Sequence, residues 1–81
     1  MSKNFKSSIE WDVIEKVRAK RLELKMSQED VASILDMSRG FIGQIESPNY
    51  PAKYNLNHLN KLALEFGCSP KDFLPEKAFS K

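Results

Sequence analysis

The fold of this chain is decided by residues 27–46, which read SQEDVASILDMSRGFIGQIE. Ser27 and Asp30 have the spacing of a capping box, in which two side chains bind the free backbone N–H groups at the start of a helix. Apolar residues follow at helical spacing and predict one buried helix face. They are Val31, Ala32 and Leu35.

A second short helix is predicted directly after the first. Asp36, Met37 and Ser38 interrupt the apolar pattern, and Ser38 can cap the start of a new helix. Ile42 and Ile45 have the spacing of an inward helix face. Two short helices joined by a tight turn form a helix-turn-helix.

Further helices are expected on both sides of this pair. Apolar spacing predicts a first helix over about 9–24, and Asn55 or its neighbour caps a fourth helix that ends at Gly67. Residues 69–72, SPKD, combine an N-cap with a proline at the first helical position, which predicts a short fifth helix. The predicted fold class is therefore all-α, with five helices in a compact domain.

The two turns that flank the second helix carry residues under expected strain. Lys25 and Asp36 stand where a helix commonly ends in a left-handed residue, a conformation that favours glycine. If both residues have positive φ, lysine is the more strained of the two.

The expected domain organisation has three parts. Residues 1–8 are polar and lack periodicity, so we expect a flexible N-terminal arm there. Residues 9–75 form the helix-turn-helix domain, and residues 76–81 form a C-terminal tail. The full length of 81 residues is within the range of one domain that folds unaided.

Composition sets limits on compartment and partners. Thirteen Lys and Arg residues against eleven Asp and Glu residues give a net charge of +2, which is weak evidence for a nucleic-acid partner. The single cysteine excludes an internal disulfide and is compatible with a reducing cytosol. The chain has no apolar run of about 18 residues, and because no hydrophobic stretch follows its lysine-containing start, no signal peptide is expected. It is therefore expected to be cytoplasmic and not to contact a membrane.

The sequence does not indicate an enzyme. The only histidine, His58, has no second ligand beside it, and Cys68 has no histidine partner. Glycine-rich phosphate loops, CxxC pairs and HExxH motifs are all missing from the sequence. We therefore expect no catalytic residues, no metal, no cofactor and no small-molecule site.

The chain resembles the phage-repressor and Cro-type (Xre-like) helix-turn-helix proteins over residues 13–74. The resemblance implies a lambda-repressor-like domain of five helices that binds operator DNA, usually as a symmetric dimer, and regulates transcription. The matching positions are Arg18, Arg21, Ser27, Gln28, Val31, Ala32, Ser38, Ile42, Ile45, Glu46, Leu62, Ala63, Phe66, Gly67 and Ser69.

The resemblance assigns base reading to the third helix. Arg39 can offer two parallel N–H groups to guanine, and Gln44 can bind adenine or a phosphate. Phe41 fits a thymine methyl group, a protein contact or the edge of the core. Gly40 and Gly43 allow close approach of the backbone to DNA but leave few side chains to specify bases, which favours recognition of DNA shape.

Phosphate contacts are expected at two helix starts and in the loop after the third helix. Gln28 matches a family position at the start of the second helix, where free N–H groups favour an anion, although a solvated glutamine is the alternative. The loop is expected to follow the sugar-phosphate backbone. The full set is Ser27, Gln28, Ser38, Asn49, Tyr50, Lys53 and Tyr54.

Two further expectations concern structure and assembly. Arg21 and Glu46 match a family pair that bridges the first helix and the end of the third, a structural role. Apolar residues near the C-terminus suit a homodimer on a pseudo-palindromic operator, or they cap the core of a monomer. They are Phe73, Leu74 and Phe79, with Trp11 or Phe5 as extensions.

The resulting function is that of a sequence-specific, double-stranded-DNA-binding transcriptional regulator. The alternative is a protein-interaction module, or an antitoxin-like partner, that kept the fold with weak base reading. The two glycines of the third helix and the small net charge support that alternative. Binding that weakens steeply as salt rises would distinguish a DNA-binding protein from such a module.

Overall fold

The computed structural model describes residues 5–80, so residues 1–4 of the predicted arm and Lys81 of the tail lie outside the described residues. The described part is built of helices and contains no strand, which confirms the predicted all-α class. The helices are α1 (Ser8–Glu23), α2 (Gln28–Leu35), α3 (Arg39–Ile45) and α4 (Leu56–Phe66), followed by a 3-10 helix (Pro70–Phe73).

Side-chain caps explain where the helices begin. The Oγ of Ser27 accepts the backbone N–H of Asp30 at 3.0 Å, and the Asp30 carboxylate accepts the N–H of Ser27 at 2.8 Å. This is the predicted capping box, and it satisfies two N–H groups that the helix itself leaves free. Reciprocal caps also begin α1, α4 and the 3-10 helix, with the pairs Ser7–Glu10, Asn55–His58 and Ser69–Asp72.

The ends of α1, α2 and α4 share one left-handed geometry. The residues with positive φ are Lys25 (59°), Asp36 (58°) and Gly67 (72°). After α1, the N–H of Met26 donates to the carbonyl of Arg21 at 2.9 Å, and the N–H of Lys25 donates to that of Leu22 at 3.0 Å. These bonds form a Schellman motif, in which a left-handed residue lets the chain turn back onto the helix.

We expect Lys25→Gly to leave stability unchanged or to raise the free energy of unfolding by up to about 1 kcal/mol. A side chain with φ near 60° is strained, and this relief exceeds or offsets the entropy that glycine gains in the unfolded chain. Urea denaturation measures the effect. The matched control, Lys20→Gly inside α1, should lose about 1 kcal/mol. If Lys25→Gly lowers the free energy of unfolding as much as Lys20→Gly does, Lys25 is not strained.

The prediction of a fifth α-helix is wrong: among the residues that the structure describes, a single 3-10 turn, Pro70–Phe73, follows α4. Ser69 and Pro70 start this turn as expected. Leu74 then adopts an extended conformation, with φ of −107° and ψ of 149°. Pro75 explains the stop, because proline disfavours helical geometry in the residue before it and has no N–H to continue the helix.

One core joins the four helices and the 3-10 turn. Ala32 is buried where α2 packs against α3 and α4, and its small side chain permits that close packing. Phe73 is also fully buried, with its ring 6.2 Å from that of Phe66 in an edge-to-face arrangement. Phe73 therefore belongs to the core and not to the apolar surface predicted for a dimer.

Candidate nucleic-acid interface

α3 presents a short exposed face. The Oγ of Ser38 accepts the backbone N–H of Phe41 at 3.1 Å, which fixes the start of the helix. Ile42 and Ile45 are fully buried, so the side of α3 that they occupy faces the core. The exposed face carries most of the residues that were predicted to contact bases. They are Arg39, Gly40, Phe41 and Gln44.

The first turn of this face is open to an incoming molecule. Arg39 is exposed, and a Cβ atom added at Gly40 would have nothing within 4 Å. Phe41 is 37% exposed and is not among the residues of the core cluster. The contact of Phe41 with DNA or with a protein stays a prediction.

Gly43 lies against α2 and not on the open face. A Cβ atom at this position would stand 3.6 Å from Oε1 of Gln28. The glycine is half-buried, and a Cβ atom there would make an ordinary van der Waals contact with the Gln28 amide. A base contact at Gly43 stays a prediction.

A bidentate ion pair fixes the end of α3 to α1. Nε of Arg21 donates to Oε2 of Glu46 at 3.0 Å, and Nη2 donates to Oε1 at 2.9 Å. Nη1 donates to the carbonyl of Met26, in the turn before α2, at 2.9 Å. The two charged side chains are only 8% and 5% exposed. This is the structural pair expected from the sequence, and it joins α1, the turn and α3.

Gln28 is the fourth member of this polar cluster. Its Nε2 donates to Oε1 of Glu46 at 3.0 Å. A side-chain amide has two N–H groups, so one N–H of Gln28 stays available for a phosphate. The hydroxyls of Ser27 and Ser38 accept backbone N–H groups as caps and likewise keep a hydrogen to donate.

The loop after α3 contains one residue that differs from expectation. Tyr54 was predicted to contact phosphate, but only 9% of it is exposed, and its hydroxyl is buried with no hydrogen bond to residues 5–80. Burial, followed by the nearby Glu46 carboxylate, raises the pKa of Tyr54. The polar, proline-containing sequence of the loop predicted that it is solvated, whereas the ring of Tyr54 packs into the core. The prediction that Tyr54 contacts phosphate is therefore wrong.

The remaining loop residues lie at the surface. Tyr50 and Asn49 are exposed, and the N–H of Asn49 donates to Oγ of Ser47 at 3.2 Å. Nζ of Lys53 donates to Oε2 of Glu10 at 2.8 Å. The hydrogen bond from Lys53 is the largest of the causes that lower the pKa of Glu10. Lys53 has further N–H groups that can bind an anion.

Lys6 occupies a position that the sequence did not indicate. Lys6 belongs to the arm that was expected to be flexible, yet its Nζ donates to the carbonyl of Gln44 at 3.1 Å and to that of Ser47. The nitrogen also stands 5.3 Å from the ring centroid of Trp11. The sequence signal for an ordered position of Lys6 was the Ser7–Glu10 capping box, because it places the start of α1 directly after Lys6.

The described residues do not assemble a metal site. Within 5–80, no group of three or more His, Cys, Asp or Glu side chains comes together as metal ligands would. His58 is engaged as part of the α4 cap, where its Nδ1 accepts the N–H of Asn55 at 3.0 Å. Burial lowers the pKa of His58 and raises that of the Cys68 thiol. In the same part of the chain, no helix is long and apolar enough to cross a membrane.

The comparisons with known proteins agree with this geometry. A family model described as a helix-turn-helix domain matches residues 14–77. No curated protein and no solved structure matches the chain. Because the family model covers most of the chain, the chain belongs to the helix-turn-helix domain family. Membership confirms the resemblance found in the sequence and indicates a DNA-binding regulator.

Proposed function

We propose that this helix-turn-helix protein is a sequence-specific transcriptional regulator of the Xre type that inserts α3 into the major groove of operator DNA. The observation that carries the proposal is the exposed face of α3, which begins at Arg39 and includes Gln44. The Arg21–Glu46 pair holds the C-terminal end of that helix on the domain. A rigidly held helix with exposed polar side chains is what base reading requires.

Arg39 is the main base-reading residue in this proposal. It lies in the first turn of α3, and in helix-turn-helix proteins the N-terminal residues of the recognition helix contact base edges. Its guanidinium can donate two parallel N–H groups to guanine. Phe41 contacts a thymine methyl group, and the open surface at Gly40 lets the backbone approach the DNA, so that part of the specificity comes from DNA shape.

Phosphate contacts then come from residues that border α3. The N-terminus of α2 lies beside α3 through the contact of Gln28 with Glu46, so both elements can meet one DNA surface. Helix N-termini favour anions because they carry free N–H groups and partial positive charge. The proposed phosphate-contacting residues are Ser27, Gln28, Ser38, Asn49, Tyr50 and Lys53.

Fluorescence anisotropy against mixed genomic DNA fragments tests this function. We expect binding at low salt, with an affinity that falls steeply as salt rises because bound cations are released from DNA. Selection from a random DNA pool should then recover a pseudo-palindromic site. If no DNA binds at low salt, the chain is instead a protein-interaction module or an antitoxin-like partner, and the exposed Phe41 belongs to its contact surface.

We further propose that the operator is bound by a homodimer. One copy of α3 offers few base contacts, and a two-fold pair doubles them. The domain measures 35 × 29 × 21 Å, a size that allows two copies to bind side by side with their α3 helices one DNA turn, about 34 Å, apart. The exposed side chains of Ile9, Leu56 and Leu74 line one apolar groove of about 340 Å³, which supports a second copy as its occupant.

Leu56→Ser should weaken cooperative binding of two copies to a two-half-site operator while leaving binding to one half-site unchanged. The side chain is 77% exposed and lines the groove, so its loss removes apolar contact without disturbing the core. Leu64→Ser is the matched control, because Leu64 is 75% exposed on the same helix but does not line the groove. Titration of labelled operators measures stoichiometry. Equal effects of both substitutions, or one protein per full site, would reject this dimer surface.

A further inference from the structure

We propose that Lys6 is a positioning residue for α3, which holds the C-terminal end of that helix, and with it Gln44, in the geometry that binds DNA. The inference rests on the proposed function. Nζ of Lys6 donates to the carbonyl of Gln44 at 3.1 Å and to the carbonyl of Ser47. The Gln44 carbonyl lies in the last turn of α3 and also accepts the N–H of Ser47 at 3.2 Å. The Ser47 carbonyl lies just beyond the helix, where the chain leaves α3.

The charge of Lys6 suits this position. The last turn of a helix carries partial negative charge and is stabilised by a cation. α3 has no basic residue in its own last turn. Lys6 supplies one from 38 positions earlier in the sequence, so it links the segment before α1 to the helix proposed to read bases.

The contact is held in place from both sides. Ser7 caps α1 through its exchange with Glu10, which fixes the backbone next to Lys6. The Lys6 ammonium stands 5.3 Å from the centroid of the Trp11 ring, within the range of a cation–π interaction. Burial in this environment lowers the pKa of Lys6, and the nearby Lys53 adds to the effect while Glu10 opposes it.

The length of α3 makes such support consequential. The helix has seven residues, and helices this short are marginal without tertiary contacts. When Lys6 is absent, the last turn opens for part of the time. The apparent affinity for DNA then falls in proportion to the fraction of molecules with an intact α3.

DNA-binding measurements on the full chain test this role. We expect Lys6→Ala to weaken binding about fivefold with no change in the slope of log affinity against log salt, because no phosphate contact is lost. Lys6→Arg keeps the charge and the donors and should restore most of the affinity. Lys20→Ala, which removes one lysine charge within α1, is the matched control and should have little effect. A salt slope reduced by about one would make Lys6 a direct phosphate contact and overturn the proposal, as would unchanged affinity.

Hydrogen exchange tests the same contact without DNA. In Lys6→Ala, the backbone amides of Glu46 and Ser47 should exchange faster, while that of Leu62 in the core of α4 should not change. Equal acceleration in α4 would indicate general destabilisation and contradict positioning. If the wild-type chain does not bind DNA, the proposed function fails, whereas the exchange result still decides whether Lys6 holds α3.

Discussion

Glu46→Ala should lower the free energy of unfolding by about 3–5 kcal/mol, measured by urea denaturation. The substitution leaves the Arg21 guanidinium, which is 8% exposed, without its bidentate partner. A buried charge that loses its counter-ion keeps the full cost of leaving water. Gln28 loses a hydrogen-bond acceptor in the same step. DNA binding should weaken as well, because α3 loses its attachment to α1.

Arg21→Ala should have a similar effect, and the double substitution tests whether the two residues act as a pair. Because both single variants lose the same interaction, the double variant should lose less stability than the sum of the two single losses. Glu46→Gln, which keeps the shape and one acceptor oxygen, should lie between wild type and Glu46→Ala. Strictly additive losses would show that the bridge does not contribute as a pair.

Arg39→Ala should weaken binding to the selected operator by about 1–3 kcal/mol and remove the base preference at one position of each half-site. The side chain is exposed, so the stability of the fold should be unchanged. Anisotropy titrations with operators that carry each base at that position measure the effect.

Lys53→Ala provides the contrast for Arg39→Ala. If Lys53 contacts phosphate, its loss should weaken binding to all sequences about equally and reduce the salt slope by about one. A uniform loss of affinity in Arg39→Ala would instead identify the arginine as a phosphate contact and refute its base-reading role.

Local patterns in the sequence predicted most of the helices. The start and the buried face of α2 were predicted as observed, because Ser27 and Asp30 define its start and the apolar spacing runs to Leu35, its last residue. The Arg21–Glu46 pair followed from a family resemblance and not from periodicity, since the partners are 25 residues apart. The fifth helix is shorter than expected because the start signal at Ser69 is followed by Pro75, which stops the helix after one turn.

The burial of Tyr54 in the loop and the position of Lys6 in the arm could not be predicted, because they depend on contacts between residues far apart in the sequence. Tyr54 lies in a polar, proline-rich segment, and only the packed fold shows that its ring is buried. Lys6 reaches carbonyls 38 and 41 residues away. Gly43 has helical spacing with the exposed residues, yet the side chain of Gln28 lies over it. Each of these positions is decided by tertiary structure.

Because the hydroxyl of Tyr54 is buried, the stability of the fold depends on pH in alkaline solution. Its pKa is raised above the ordinary value of 10.0, mainly by burial. Above that value the unfolded chain releases the tyrosine proton while the folded chain retains it, so stability falls as pH rises. The group therefore contributes its full stability below pH 10 and loses it progressively on the alkaline side. The loop that follows α3 thus makes the domain less stable in alkaline solution, although it lies outside every helix.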